Sequence, residues 1–240
     1  MKLSFSKSYL KAASRCTAKS DIRYFLSGVY VEYGPLPIGG GEAGGTVIVV
    51  ATTGHVLFAG KTPAAWIDGD GKESFSVIVP DSAVKLAVKG KGANVELELT
   101  PDGRFAIEGQ VFTPIDAKYP DFSRVIPSTV SGEKGYFNPE YLAIGQDALR
   151  DVFGKGAFPT LEHNGTSVAA MHCGTDDCVF AVMPMTKGTH EYKGFTVPHV
   201  RPARKHGGKW AIARLTPASD ELPGTGSDRA IVASIRKEFA

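Results

Sequence analysis

Asp177-Cys178-Val179-Phe180-Ala181-Val182-Met183-Pro184-Met185 decides how this chain is read. Five apolar residues follow two acids and run into Met-Pro-Met. The run predicts a β-strand, and Pro184 lacks the N–H that a sheet ladder needs, so the strand must stop there or lie at an edge. The flanking methionines are flexible and polarizable, the residue type over-used where one surface accepts several peptides.

Working outward from this strand, the chain reads as α+β, with a strand, a short helix and further strands occurring three times. The unit that contains the quoted run begins with Gly135-Tyr136-Phe137 as a strand. Asn138 caps a helix with Pro139 as its first residue, running to about Phe153. Short strands follow at Thr160 to His163, Ser167 to Cys173 and Cys178 to Met183. The first unit opens with Lys2-Leu3-Ser4-Phe5, and Ser6 caps a helix from about Lys7 to Lys19. Strand residues are expected from Tyr24 to Tyr33 and from Thr46 to Ala51, with His55 to Phe58 continuing the latter. The glycine run 39 to 45 is a hairpin loop. In the middle unit, Ser74 to Val79 is a strand. Pro80 stands at a helix start, with Asp81 or Ser82 as cap, and the helix reaches about Lys89. Val95 to Leu99 alternates cleanly, Pro101-Asp102-Gly103 turns, and Arg104 to Val111 returns as one strand.

Composition sets the class. The chain has 240 residues with 42% hydrophobic content, ordinary for a soluble globular protein. No apolar run has the length of a membrane span and Met1-Lys2-Leu3-Ser4-Phe5 is no signal peptide, so the expectation is a cytoplasmic protein without membrane partners. Three cysteines argue against a disulfide framework. The net charge of +2 is uneven: residues 1–187 carry 18 Lys and Arg against 20 Asp and Glu, whereas residues 188–240 carry 9 against 5. Any nucleic-acid contact must therefore come from local patterning.

Six segments, taken in order, resemble the bacterial DNA sliding clamp, the beta subunit of DNA polymerase III. They are Arg23-Tyr24-Phe25-Leu26-Ser27-Gly28-Val29, Ala51-Thr52-Thr53-Gly54-His55-Val56-Leu57, Phe75-Ser76-Val77-Ile78-Val79-Pro80, Tyr119 to Pro127, Gly135 to Leu142, and Ala181 to Met185. The resemblance implies a clamp-like fold, with outer antiparallel sheets and inner helices. It divides the chain into a complete domain of two half-units (1–117), a linker (118–134), a half domain (135–187) and an extension of unknown structure (188–240). The family's first domain and the first half of its last domain have no counterpart here. Such a truncated chain would suit a phage or prophage replication module, and four copies, each with three half-units, would supply the twelve of a clamp ring.

The resemblance also implies a site and partners. Carried over position by position, Leu26, Val56, Leu57, Pro120, Val125, Val182, Met183, Pro184 and Met185 form the apolar floor of a peptide-binding cleft. Thr52, Gly54, His55 and Arg124 form its rim. Thr53 and Val56 replace the family's Asp and Arg, which removes a rim charge. The partners would be polymerase or repair proteins that carry clamp-binding peptides, a clamp loader, further copies of the chain, and duplex DNA held without sequence preference. For DNA, Lys7, Lys11, Arg15 and Lys19 recur every four residues, which places them on one slowly drifting helix face. Lys85, Lys89 and Arg150 add to this surface, and Tyr24 matches a family position near DNA. A solvated basic face is the alternative to phosphate contact. A non-encircling adaptor or decoy that keeps the cleft and competes for clamp-binding proteins is the alternative function.

No catalytic motif occurs: the glycine run lacks the Lys-Ser/Thr of a phosphate loop, and neither Gly-x-Ser-x-Gly nor His-Glu-x-x-His is present. His163, His172, Cys173 and Cys178 with Asp176 and Asp177 raise a zinc site, but the Cys spacing is looser than structural zinc uses, and a hairpin with incidental thiols is the expectation. No cofactor, metal or enzymatic activity is expected.

Overall fold

The computed structural model describes residues 1–19, 21–35, 44–68, 73–100 and 102–186. The glycine run up to residue 43, Pro101 and the extension 188–240 lie outside the described residues.

Eleven strands and three helices are described, and all eleven strands belong to one antiparallel sheet. The strands are β1 (Lys2–Ser6), β2 (Gly28–Pro35), β3 (Gly44–Thr52), β4 (Val56–Asp68), β5 (Phe75–Pro80), β6 (Asn94–Leu99), β7 (Phe105–Ile107), β8 (Gln110–Phe112), β9 (Thr160–Glu162), β10 (Ala169–His172) and β11 (Cys178–Val182). The helices are α1 (Lys7–Ser14), α2 (Asp81–Ala87) and α3 (Pro139–Phe153). The main path runs β5-β2-β3-β4-β1-β6-β7-β8.

β4 is the branch point. One edge pairs with β3 from Thr52↔Leu57 to Gly44↔Ala65. Its other edge is shared: Val56–Gly60 pairs with β11, and Ala64–Asp68 pairs with β1. The segment with α3 and β9–β11 therefore joins the sheet of β1–β4, and Met1–Lys187 forms one compact unit.

The strands around this branch are buried on both faces, which explains why β3 reads Val47-Ile48-Val49-Val50-Ala51 without polar alternation. On the helix side, Val49, Val56, Phe58, Phe180 and Val182 pack with Leu10, Val84 and Leu149. On the other side, Val50, Leu57 and Ala181 are covered by Tyr119, Phe122 and Ile126. α1 packs against both α2 and α3. α3 comes close to the sheet at Gly145, where an added Cβ would stand 2.6 Å from the Phe180 ring.

Several expectations are corrected. His55 to Phe58 does not continue β3; the chain reverses at Thr53-Gly54 and returns antiparallel as β4. Two hydroxyls make this turn: Thr52 Oγ1 donates to the Val56 carbonyl (2.7 Å) and accepts from the Gly54 N–H (2.9 Å), while Thr53 Oγ1 accepts from His55 and Val56 N–H groups. Gly54 has φ +90°, a conformation that favours glycine. The return from Arg104 is two strands, because Glu108-Gly109 (φ 49° and 74°) closes a two-residue hairpin between β7 and β8. α1 ends at Ser14 rather than Lys19, where Ser14 and Thr17 hydroxyls donate to the carbonyls of Lys11 and Ser14. Tyr24–Ser27 is a 3₁₀ turn before β2. At α2, Pro80 occupies the cap and Asp81 is the first helical residue. Ser6 occupies the cap position of α1 without a side-chain capping bond. Gly135-Tyr136-Phe137 contributes one bridge, Tyr136↔Met185, instead of a strand. α3 matches its expected bounds, and Asn138 Oδ1 accepts the Glu140 N–H (2.9 Å).

Candidate functional site

The β3–β4 turn and the end of β11 lie side by side. Val182 pairs with Val56 and Ala181 with Leu57, and the Met183 N–H donates to the His55 carbonyl at 2.9 Å. Pro184 then ends the ladder, and the chain bridges to Tyr136 through Met185 N–H to the Tyr136 carbonyl (2.7 Å). Sequence positions 52–57 and 182–185 are thus brought together, as the carried-over cleft requires.

The carried-over residues differ in exposure. Met183 is 44% exposed and Met185 53%, and His55, Pro120, Arg124 and Val125 are also open to solvent. Leu26, Val56, Leu57 and Val182 are buried, with Val56 and Val182 in the helix-side core and Leu57 under Tyr119. Val56 therefore stands in the core. Thr52 and Gly54 are half-buried and spend their polar groups on the turn itself. Arg124 makes one long ion pair with Asp121 (3.7 Å).

Two supporting side chains were quoted in the sequence motifs without being assigned to the site. Tyr141, in the first turn of α3, stacks on His55 with ring centroids 5.7 Å apart and planes 14° apart. Arg23 lies over Gly54, where an added Cβ would stand 2.8 Å from its guanidinium, and it is held by Asp21 at 2.6 Å. Hydrogen bonds from the Arg23 side chain and backbone hold the Asp21 carboxyl at about 2. The sequence signal for both was present: an aromatic residue three positions after a capping Asn, and an Asp two residues before an Arg. Tyr119 stacks on Tyr30 (4.9 Å), and burial pushes its phenol well above the ordinary range.

A separate groove of about 620 Å³ lies on the outer face. Ile48, Ala59 and Val179 line it, together with Ile126, Val130 and His172. None of the carried-over cleft residues is among its lining residues.

The basic surface is reorganised relative to the four-residue ladder. Lys7 is only 7% exposed, and its Nζ is buried without a hydrogen-bond partner, so it belongs to the core. The reason is the turn after α2: Lys7 N–H donates to the Ala93 carbonyl, and its ammonium is tucked beside Gly90. Lys11 pairs with Asp151 (2.8 Å), and Arg15 pairs with Asp151 (2.5 Å) and Asp147 (3.2 Å). Lys85 pairs with Asp81 (2.5 Å), and the half-buried Arg150 donates from Nε to the Ala157 carbonyl (3.4 Å). Lys19 and Lys89 are exposed, as is Tyr24, whose hydroxyl donates to the Asp116 carbonyl (3.4 Å).

Around the cysteines, His163 Nδ1 accepts from Gly135 N–H and His172 Nδ1 from Gly174 N–H. Burial raises the Cys178 thiol to about 12. Among the described residues no group of three or more His, Cys, Asp or Glu is placed to hold a metal ion. No described helix is long and apolar enough to cross a membrane.

No protein-family model matches the chain, and no curated protein is similar to it. Solved structures are. The beta clamp of H. pylori, in complex with diflunisal, superposes with a TM-score of 0.59 at 14% identity, covering 77% of this chain and 66% of that one. The DNA polymerase sliding clamp of Bacillus subtilis gives 0.59 at 14% identity, covering 78% and 65%. The pol III beta of Caulobacter crescentus gives 0.58 at 19% identity, covering 78% and 66%. The chain thus spans just under two thirds of the length of these clamps. At such identities the likeness concerns architecture, and the mixed α+β fold of residues 1–187, three helices against a large antiparallel sheet, is that of the bacterial DNA polymerase III beta sliding clamp.

Proposed function

We propose that this chain is a non-enzymatic, sliding-clamp-like processivity factor of a phage or prophage replication module. It would tether a polymerase or repair protein to duplex DNA through an apolar cleft. The observation that supports this reading best is the junction of the Thr52–Leu57 turn with Val182–Met185, where His55, Met183 and Met185 are exposed beside a buried apolar support. Methionines that stay open at such a junction can repack around different Leu or Phe anchors. The chain would act in the cytoplasm, with a clamp loader among its partners. It would have a complete domain at 1–117, a linker at 118–134, a half domain at 135–187 and the extension beyond. Copies of the chain would assemble into a ring.

A second reading, a non-encircling adaptor or decoy that competes for clamp-binding proteins, is favoured by the fate of the basic ladder: Lys7 is buried, and Lys11 and Arg15 are paired with carboxylates. Light scattering over a concentration series separates the two. A stable closed oligomer that is retained on closed-circular DNA and lost on linearisation supports the clamp. A monomer at every concentration that still binds a labelled peptide with Leu and Phe anchors supports the adaptor. Failure to bind such peptides would sink both.

A further inference from the structure

We propose that Asp147 is an internal competitor for duplex phosphate at Arg15, while Asp151 is the anchor that holds Lys11 and Arg15 in place. This inference rests on the reading of α1 as a DNA-facing helix and names the residue that sets its affinity.

The two carboxylates differ in situation. Asp151 has a side chain only 10% exposed, and it accepts from Lys11 Nζ at 2.8 Å and Arg15 Nε at 2.5 Å. It bridges Lys11 of α1 and Arg15 at its C-cap to α3 and cannot leave without exposing a buried contact. Burial alone would raise its pKa, but the hydrogen bonds from Arg15 and Lys11 outweigh it and lower the carboxyl below its ordinary value, so the anchor stays charged. Asp147, one turn earlier on α3, is 56% exposed and meets a different nitrogen of Arg15, Nη1, at 3.2 Å. The Arg15 side chain remains about one-third exposed (35%). A guanidinium has five donors in a planar fork, so it can keep Asp151 on Nε while exchanging the partner on its outer edge. A phosphate oxygen and the Asp147 carboxylate are chemically alike for that edge. With Lys11, Arg15, Asp147 and Asp151 together, the local formal charge is zero, which weakens attraction of any polyanion to this stretch of α1.

The arrangement permits sliding contact: an exposed, solvent-screened pair is weak and exchanges readily, so the duplex meets a pre-oriented Arg15 without a bond of high stability. Asp147 moderates affinity and Asp151 preserves geometry.

Replacing Asp147 by Asn tests this in the full-length chain with a fluorescein-labelled 30-base-pair duplex, titrated at several salt concentrations. One additional phosphate contact steepens the slope of log K against log salt by about 0.9, which corresponds to roughly eightfold tighter binding at 0.1 M salt. D147N should show that change, and the double variant D147N/R15Q should lose it. D147N lies on an exposed surface, and its unfolding midpoint should match that of the wild type. If the wild type binds duplex and D147N binds equally, or if D147N/R15Q keeps the gain, Asp147 does not compete at Arg15 and only this inference fails. If neither the wild type nor D147N binds duplex even at 20 mM salt, the DNA-facing reading fails with it.

Discussion

Replacing Lys7 by Met separates the ladder expected from sequence from the one that folding leaves. Lys7 is buried (7% exposed), and its Nζ has no hydrogen-bond partner. A buried polar group left unsatisfied costs about 1–3 kcal/mol, more when charged. The negative end of α2 and the Glu108 carboxylate, both beside Gly90 near Nζ, offset part of this. Methionine keeps the unbranched stem that fills the site, and volume-conserving swaps of this kind cost less than about 1.5 kcal/mol. K7M should therefore stabilise the protein by up to about 2 kcal/mol, the surplus of the removed penalty over the repacking cost. For a unit of this size each kcal/mol corresponds to about 2–4 °C in the unfolding midpoint. Urea unfolding with an unchanged m-value, supported by calorimetry, measures it. Duplex retention should be the same as that of the wild type. A K7M protein that unfolds at lower urea, or that loses duplex binding while remaining folded, refutes the reasoning and returns Lys7 to the DNA surface.

Other changes probe the cleft and its supports. M183D should leave stability nearly unchanged, because Met183 is exposed, but should weaken peptide binding roughly ten- to a hundredfold, the equivalent of about 1.5–3 kcal/mol for one apolar side chain. V56D places a carboxylate in the core and should show a lowered midpoint by circular dichroism, so a loss of peptide binding in that variant would say nothing about the cleft. G145A should gain about 1 kcal/mol in helix propensity and lose about 1–3 kcal/mol to overpacking against the Phe180 ring and Met171 sulfur, a net loss by urea unfolding that a more stable variant would contradict. The Asp151 carboxyl is lowered on folding, so its contribution is complete above the ordinary carboxylate value near 3.8 and is lost as pH falls through the lowered folded value. Urea midpoints measured from pH 7 to pH 3 should therefore fall more steeply for the wild type than for D151N, and parallel curves would remove Asp151 as the α1–α3 anchor.

Much of the fold was readable because local chemistry fixes it. Asn138-Pro139 starts a helix whatever surrounds it, since the side chain caps and the proline ring presets φ. Val95 to Leu99 alternates because one face of its strand is buried. Pro184 stops β11 because it has no N–H to donate. That residues 52–57 and 182–185 lie side by side was also readable, through their order along the chain and their likeness to a known family. What sequence left open was decided by partners distant in the chain. The reversal at Gly54 is closed locally by the hydroxyls of Thr52 and Thr53, but which strands the returning chain pairs with is decided by β3, β1 and β11. β4 extends to Asp68 because β1 and β11 divide its free edge, a pairing across more than a hundred residues for β11. The basic ladder shows the same division. Four-residue spacing placed Lys7, Lys11 and Arg15 on one face, a property of helix geometry alone. Whether each cation meets solvent, a carboxylate or the core was set by the turn after α2 and by α3, which supply the environment that no helix carries in its own sequence.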